Sequence, residues 1–209
     1  TSIKPIHSLV SYIMDGVGSP DLIVDGYNSP HGFSLKPSHA KMLQEADIVI
    51  YVGEGVEEFL EKPLESIANN AVKFELLSQS GIKKLKFRER NIFEGHDDHD
   101  DHGHDKKAKK DDHDDHDDHD HDKKAKKDDD HDDHGHDDHG HGEFDPHIWL
   151  DPMNAKIIVK KITNQLSKLD KENSSVYKSN SKKALKEIDQ LIKEVKSDIN
   201  KDAKVVVFH

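Results

Sequence analysis

Asp47-Ile48-Val49-Ile50-Tyr51-Val52-Gly53 is the most strand-like stretch of the chain, an apolar run closed by glycine. Its length and composition predict a buried β-strand. Upstream, Leu22-Ile23-Val24 is a shorter apolar run, and Ala40–Ala46 reads as a helix begun by Pro37 in its first turn. Downstream, Val56, Phe59, Leu60, Leu64 and Ile67 recur at helical spacing, with Pro63 placed to bend that helix. Lys73–Leu77 is a further strand candidate. Strands alternating with helices at this interval imply βα units and a parallel sheet.

Beyond residue 143 the pattern is helical. Asp151 before Pro152 is a strong start signal, a capping side chain followed by proline at the first helical position. Met153, Ile157, Ile158, Ile162, Leu166 and Leu169 supply an apolar face. A longer helix follows over roughly 172–200, with Leu185, Ile188, Leu191, Ile192, Val195 and Ile199 as its stripe. At 1.5 Å per residue it reaches about 40 Å, long enough to connect lobes as well as to pack within one. A coiled coil is the rival reading, but the stripe covers barely two heptads. Lys204–His209 reads as another buried strand, so a second lobe is expected beyond it.

Between these halves lies a different polymer. Residues 96–142 contain only 20 Asp, 13 His, 8 Lys, 4 Gly and 2 Ala, with charge −12. His104–Asp112 repeats as His121–Asp129. Such a segment cannot bury a core and is expected to be disordered without metal, at little cost to the surrounding fold. The remaining 162 residues carry 23 acidic and 23 basic side chains, and about 40% of them are hydrophobic, ordinary for a globular domain. A neutral body with an acidic insert is a poor nucleic-acid binder. No run of 18 apolar residues spans a membrane. The absence of cysteine excludes disulfides and thiolate metal sites. No signal peptide is visible at Thr1-Ser2-Ile3-Lys4, so processing or truncation is expected to have removed the true start.

Five histidines lie outside the insert: His7, His31, His39, His147 and His209. His31 follows one strand signal and precedes a helix, His147 precedes a helix start, and His209 ends a strand. In open α/β sheets ligands bind beyond the carboxyl ends of strands. Three imidazoles converging there would suit Zn²⁺, with one position left open. Pro30 and Pro146 restrict the backbone before His31 and His147. Any one of these alone is more often a hydrogen-bonded surface or core residue than a ligand. That ordinary reading is adopted for His7 and for His39, which is expected to face solvent in a first helical turn.

The insert histidines are His96, His99, His102, His104, His113, His116, His119, His121, His131, His134, His136, His139 and His141. They are auxiliary metal ligands in this reading, because histidine is an odd choice for a merely solvated acidic linker. Such segments bind Zn²⁺, Ni²⁺ or Cu²⁺ weakly and multivalently. Charging all thirteen would move the insert from −12 to about +1 below roughly pH 6.5. Gly16-Val17-Gly18-Ser19-Pro20-Asp21 imitates a dinucleotide loop but lacks its third glycine. Glu54 and Glu143 are the nearest general-base candidates for a metallohydrolase, and each rests on loop position alone. Phe144 and Trp149 are expected to pack around the His147 turn.

Several segments taken in order resemble one family. They are Ile3–Val10, Asn28-Ser29-Pro30-His31-Gly32-Phe33-Ser34-Leu35-Lys36-Pro37-Ser38, Ala46–Gly53, Asp145-Pro146-His147-Ile148-Trp149-Leu150-Asp151-Pro152 and Val206-Val207-Phe208-His209. Together they resemble the periplasmic zinc-binding proteins of bacterial zinc ABC importers, the ZnuA-like branch of the cluster A-I solute-binding family. A His/Asp-rich loop before the second ligand motif is typical of that branch. The resemblance implies an α/β, two-lobed solute-binding fold, each lobe a parallel-sheet βα unit, with a long rigid helix between them. It assigns His31, His147 and His209 as metal ligands. Manganese-binding relatives usually carry Glu at the third position, so His209 favours zinc. The family often has an acid where His39 stands, and some zinc members have Glu where Pro30 stands.

The expected organisation is an N-terminal βα lobe over 1–95, the His/Asp-rich loop over 96–142, the end of the lobe over 143–171, the linking helix over 172–203 and the first strand of a second lobe over 204–209. The expected function is capture of Zn²⁺ in the periplasm and delivery to an ABC permease by a monomeric, non-catalytic protein. The alternatives are a metal buffer acting mainly through the loop, and a manganese or iron importer component.

Overall fold

The computed structural model describes residues 1–53, 55–87 and 143–199. The chain enters beside its principal strand: Ser2 N donates to Ile50 O at 3.1 Å, while Ile23 N and Val24 N donate to Thr1 O and Ser2 O. The Leu22–Val24 run therefore makes strand-like bonds and buries Ile23 and Val24, although it is not part of a regular β-strand. Helix α1 (Lys4–Met14) follows at once. Pro5 falls in its first turn, where the missing N–H has no intrahelical partner to lose. Ile6, Val10 and Ile13 form its buried face.

Helix α2 (Pro37–Glu45) begins at its proline, as the sequence predicts. Strand β1 (Ile48–Tyr51) then buries both Val49 and Ile50. Neighbouring strand residues point to opposite faces, so β1 is covered on both sides. It pairs in parallel with β2 (Val72–Glu75), from Ile48 opposite Val72 to Tyr51 opposite Glu75. The connection between them is a 3-10 turn, Glu58–Leu60, leading into α3 (Glu61–Ser66). The single bent helix expected there is instead this pair of short elements. Pro63 falls in the first turn of α3, where it deletes no intrahelical bond. Gly53, at the exit of β1, has φ +138°, and a Cβ there would meet Glu75 Oε1 at 2.5 Å.

Strand β3 (Leu85–Lys86) pairs antiparallel with β4 (Phe144–Asp145), so the chain on either side of the His–Asp segment meets in a short neck. The expectations for 96–142 and for the strand 204–209 lie outside the described residues.

Helix α4 (Pro152–Leu169) starts as its sequence demands: Asp151 Oδ1 accepts from Met153 N at 2.8 Å, and Pro152 is the first helical residue. Ile158, Val159, Ile162 and Leu166 are buried, whereas Met153 and Leu169, expected on the apolar face, are exposed at its ends. Helix α5 (Ser174–Asp198) packs on α1 and α4. Tyr177, Asn180, Ser181 and Ala184 form its buried face, with Asn180 Nδ2 donating to Ile13 O and Asp15 O at the end of α1. Leu185 and Ile188 continue onto the core, but Leu191, Val195 and Ile199 are exposed. The predicted stripe is thus right in phase and wrong in extent, because α5 outruns the core of the described residues. No helix among the described residues is long and apolar enough to cross a membrane.

Candidate metal site

His147 sits between β4 and a 3-10 turn, Ile148–Leu150, that runs into α4. Pro146 before it is buried, and Ile148 N donates to Pro146 O at 2.7 Å. Asp145 holds the histidine twice: its Oδ1 accepts from His147 backbone N at 2.9 Å and contacts Nδ1 at 2.7 Å. An ionised carboxylate can only accept, so in this contact Nδ1 carries a proton, which leaves Nε2 as the nitrogen through which a neutral ring would bind a metal. Trp149 packs its ring against His147, with centroids 5.2 Å apart, as expected. Phe144 lies under Lys84 Nζ, 5.7 Å from its ring centroid.

His31 lies in the loop between Val24 and α2, with its backbone N donating to Ser29 Oγ at 3.2 Å. Gly32 follows at φ +73°, which turns the chain directly after the histidine. The His31 and His147 rings come together with centroids 5.9 Å apart and planes inclined at 53°. Two imidazoles on one tetrahedral zinc have centroids roughly 5 Å apart, given bonds of about 2.0–2.1 Å. The observed separation exceeds that value by about 1 Å. His209 lies outside the described residues. Among the described residues no three His, Cys, Asp or Glu side chains group closely enough to hold a metal ion.

The other candidates fall elsewhere. His39 is buried at 5% exposure, which corrects the expectation that it faces solvent. Its Nδ1 accepts from Lys36 N at 3.1 Å and its ring stacks on Phe33 at 5.5 Å, so it closes the N-terminus of α2 as a structural residue. His7 is half-buried and bonds Pro20 O through Nε2 at 2.9 Å. The Gly16–Gly18 stretch ends α1, with Val17 N and Gly18 N both donating to Met14 O. Glu143 pairs with Lys86 Nζ at 2.7 Å in the neck, and Glu54 lies outside the described residues.

One residue escaped the sequence reading. Glu57 is 2% exposed, and its carboxylate accepts from Val52 N at 3.2 Å, Gly53 N at 3.0 Å and Ser2 Oγ at 2.5 Å. Burial pushes its carboxyl above the usual range, while these donors pull the other way. The available signal was a charge inside an apolar stripe: Glu57 stands three residues before Leu60, among Val56, Leu60 and Leu64.

Comparisons with known proteins converge. The family model ZnuA, zinc-uptake complex component A periplasmic, matches residues 1–209. The chain is 43% identical over 210 residues to the high-affinity zinc uptake system protein ZnuA of Brucella abortus (strain 2308), covering 100% of this chain and 60% of that protein. It is 35% identical over 211 residues to the protein of the same name from Paracoccus denitrificans (strain Pd 1222), again covering 100% and 60%. The chain thus spans about 60% of the length of these relatives. Among solved structures, Zn(II)-bound AdcA from Streptococcus pneumoniae matches with TM-score 0.60 and 16% identity, over 92% of this chain and 30% of that one. A Mn-bound periplasmic metal binding protein from Candidatus Liberibacter asiaticus matches with TM-score 0.63 and 18% identity, over 94% and 54%. These likenesses establish the α/β fold.

Proposed function

Because the chain belongs to the ZnuA family of periplasmic zinc-uptake components, we propose that it captures Zn²⁺ in the periplasm and passes it to an ABC permease, without catalysing a reaction. His31 and His147 are two ligands in this reading, and His209 is the third. The observation that carries it is the approach of the His31 and His147 rings to 5.9 Å, with Asp145 fixing the tautomer of His147. Nitrogen donors suit zinc, and a carboxylate behind a ligating histidine is the usual way of orienting the ring and raising its basicity. The fold alone does not select the metal, since its neighbours are described with zinc and with manganese. The choice of zinc rests on the donor set and on relatives named for zinc uptake.

The long helix α5 serves as the linker between the lobe built by 1–95 and 143–171 and a second lobe begun by 204–209. The protein acts as a monomer. The thirteen histidines of 96–142 gather zinc weakly near the site and do not form the tight site themselves. A metal buffer acting mainly through that segment is the alternative, and its composition is the observation in favour.

A chelator-competition titration with Zn²⁺ separates the two. In the full chain, His147→Ala should abolish the tight site. Removal of residues 96–142 should leave it in place and reduce only the weak capacity. Retention of tight binding in His147→Ala, with its loss on removal of the segment, would move the function into the His–Asp repeats.

A further inference from the structure

Glu57 connects the two histidine-bearing segments. One oxygen accepts from Ser2 Oγ at 2.5 Å, and Ser2 O in turn accepts from Val24 N at 2.9 Å. Val24 is where the chain leaves the core for the loop that carries His31. The other oxygen accepts from Gly53 N at 3.0 Å, and Gly53 O accepts from Val56 N and Glu57 N, which closes a tight turn. At the tip of that turn Gly55 has φ +88°, and a Cβ there would meet Pro146 Cγ at 3.4 Å. The turn is thus the surface against which Pro146 rests, and His147 is the next residue.

A buried carboxylate is costly, and Ser2 Oγ, Val52 N and Gly53 N, which donate to it, are all neutral. An apolar residue at position 57 would extend the stripe of Val56, Leu60 and Leu64 without that cost. The carboxylate instead fixes, from one point, the departure of the His31 loop and the seat of Pro146. Backbone N–H donors to a carboxylate define its position more narrowly than packing alone.

We propose that Glu57 is a positioning residue that sets the His31–His147 separation, and through it the affinity of the metal site. This rests on the zinc-binding reading of that pair. The prediction is specific: weakening the Glu57 hub should loosen metal binding more than an equally destabilising change elsewhere in the core.

Trp149 is the only tryptophan, and its ring lies 5.2 Å from that of His147, so its emission reports this site rather than the insert. The experiment is a Zn²⁺ titration of the full chain against a competing chelator, read by Trp149 emission. Glu57→Gln is compared with Ser2→Ala, which removes one donor to the carboxylate, and with Ile13→Val, a core change in α1 outside the hub. The expected result is about a 10-fold loss of affinity for Glu57→Gln, comparable to losing an outer-shell partner of a metal ligand. Ser2→Ala should lose less, and Ile13→Val nothing. The zinc-saturated emission maximum should also move in Glu57→Gln, a change that a merely structural role would not produce. Should Glu57→Gln fail to fold, the comparison of Ser2→Ala with Ile13→Val decides. Wild-type affinity in both hub variants would overturn the proposal, and so would equal losses in Ser2→Ala and Ile13→Val at matched stability. If His31→Ala and His147→Ala also leave the Trp149-detected titration unchanged, it is the metal site itself that fails. If those two abolish it while the hub variants do not, only the role of Glu57 fails.

Discussion

Replacing Asp145 tests the carboxylate–histidine pair most directly. In the folded chain its Oδ1 meets both the backbone N and Nδ1 of His147, at 2.9 and 2.7 Å. Asp145→Ala removes both contacts. The ring then loses its fixed orientation, and either nitrogen can carry the proton. Outer-shell partners of this kind contribute about 10- to 100-fold in metal affinity, or about 1.4–2.7 kcal/mol. The Asp145 side chain is 43% exposed, and water replaces part of what it supplies, so the lower end applies: about 10-fold. Asp145→Asn keeps an acceptor oxygen but not the charge, and should fall between wild type and alanine. The assay is chelator-competition titration with Zn²⁺, monitored by Trp149. Wild-type affinity in Asp145→Ala would refute the reasoning, because the proton on Nδ1 would then be fixed by something else.

Other consequences concern stability. Asn180→Ala leaves Ile13 O and Asp15 O without the amide they share. It should cost about 1–3 kcal/mol in urea unfolding. Gly53→Ala forces a side chain onto φ +138° and into Glu75, and should destabilise by about 1–3 kcal/mol in the same assay. Tyr177 donates to Asp170 Oδ2 at 2.7 Å, and burial, followed by that partner, pushes its phenol up to about 12. A phenol whose folded value is raised contributes stability that is fully present below its ordinary value near 10 and is lost as pH rises through 12. Melting between those pH values should therefore fall more steeply in wild type than in Tyr177→Phe.

The parts legible in the sequence were those fixed by local chemistry. Asp151 and Pro152 announced α4 because a cap and a first-turn proline act within one turn. Ile48–Tyr51 announced β1 because four consecutive apolar residues have few other places to go. The approach of His31 to His147 could be anticipated only from motifs, since more than a hundred residues separate them and no spacing rule links them. His39 was misread because helical position says nothing about what lies above it, and here Phe33 covers the ring. Glu57 was passed over because an acidic residue after a strand looks solvated unless its donors are visible. Those donors come from Ser2 and from the exit of β1, and only the folded chain assembles them.

Helix α5 packs on the core as far as Ile188, is tied once more at Asp189, and continues for 9 further residues to Asp198. That free length is about 14 Å at 1.5 Å per residue, so a tilt of ~5° at the base displaces the tip by ~1 Å. Metal bonds tolerate about 0.2 Å. A ligand carried beyond the tip, as His209 is in the proposed function, would be misplaced about fivefold beyond tolerance by so small a rotation. The braces near the base, Tyr12 to Glu187 and Lys156 to Asp189, therefore act like the pivot of a lever arm. Substitutions there, remote from any imidazole, would alter how sharply ions of different radius are told apart.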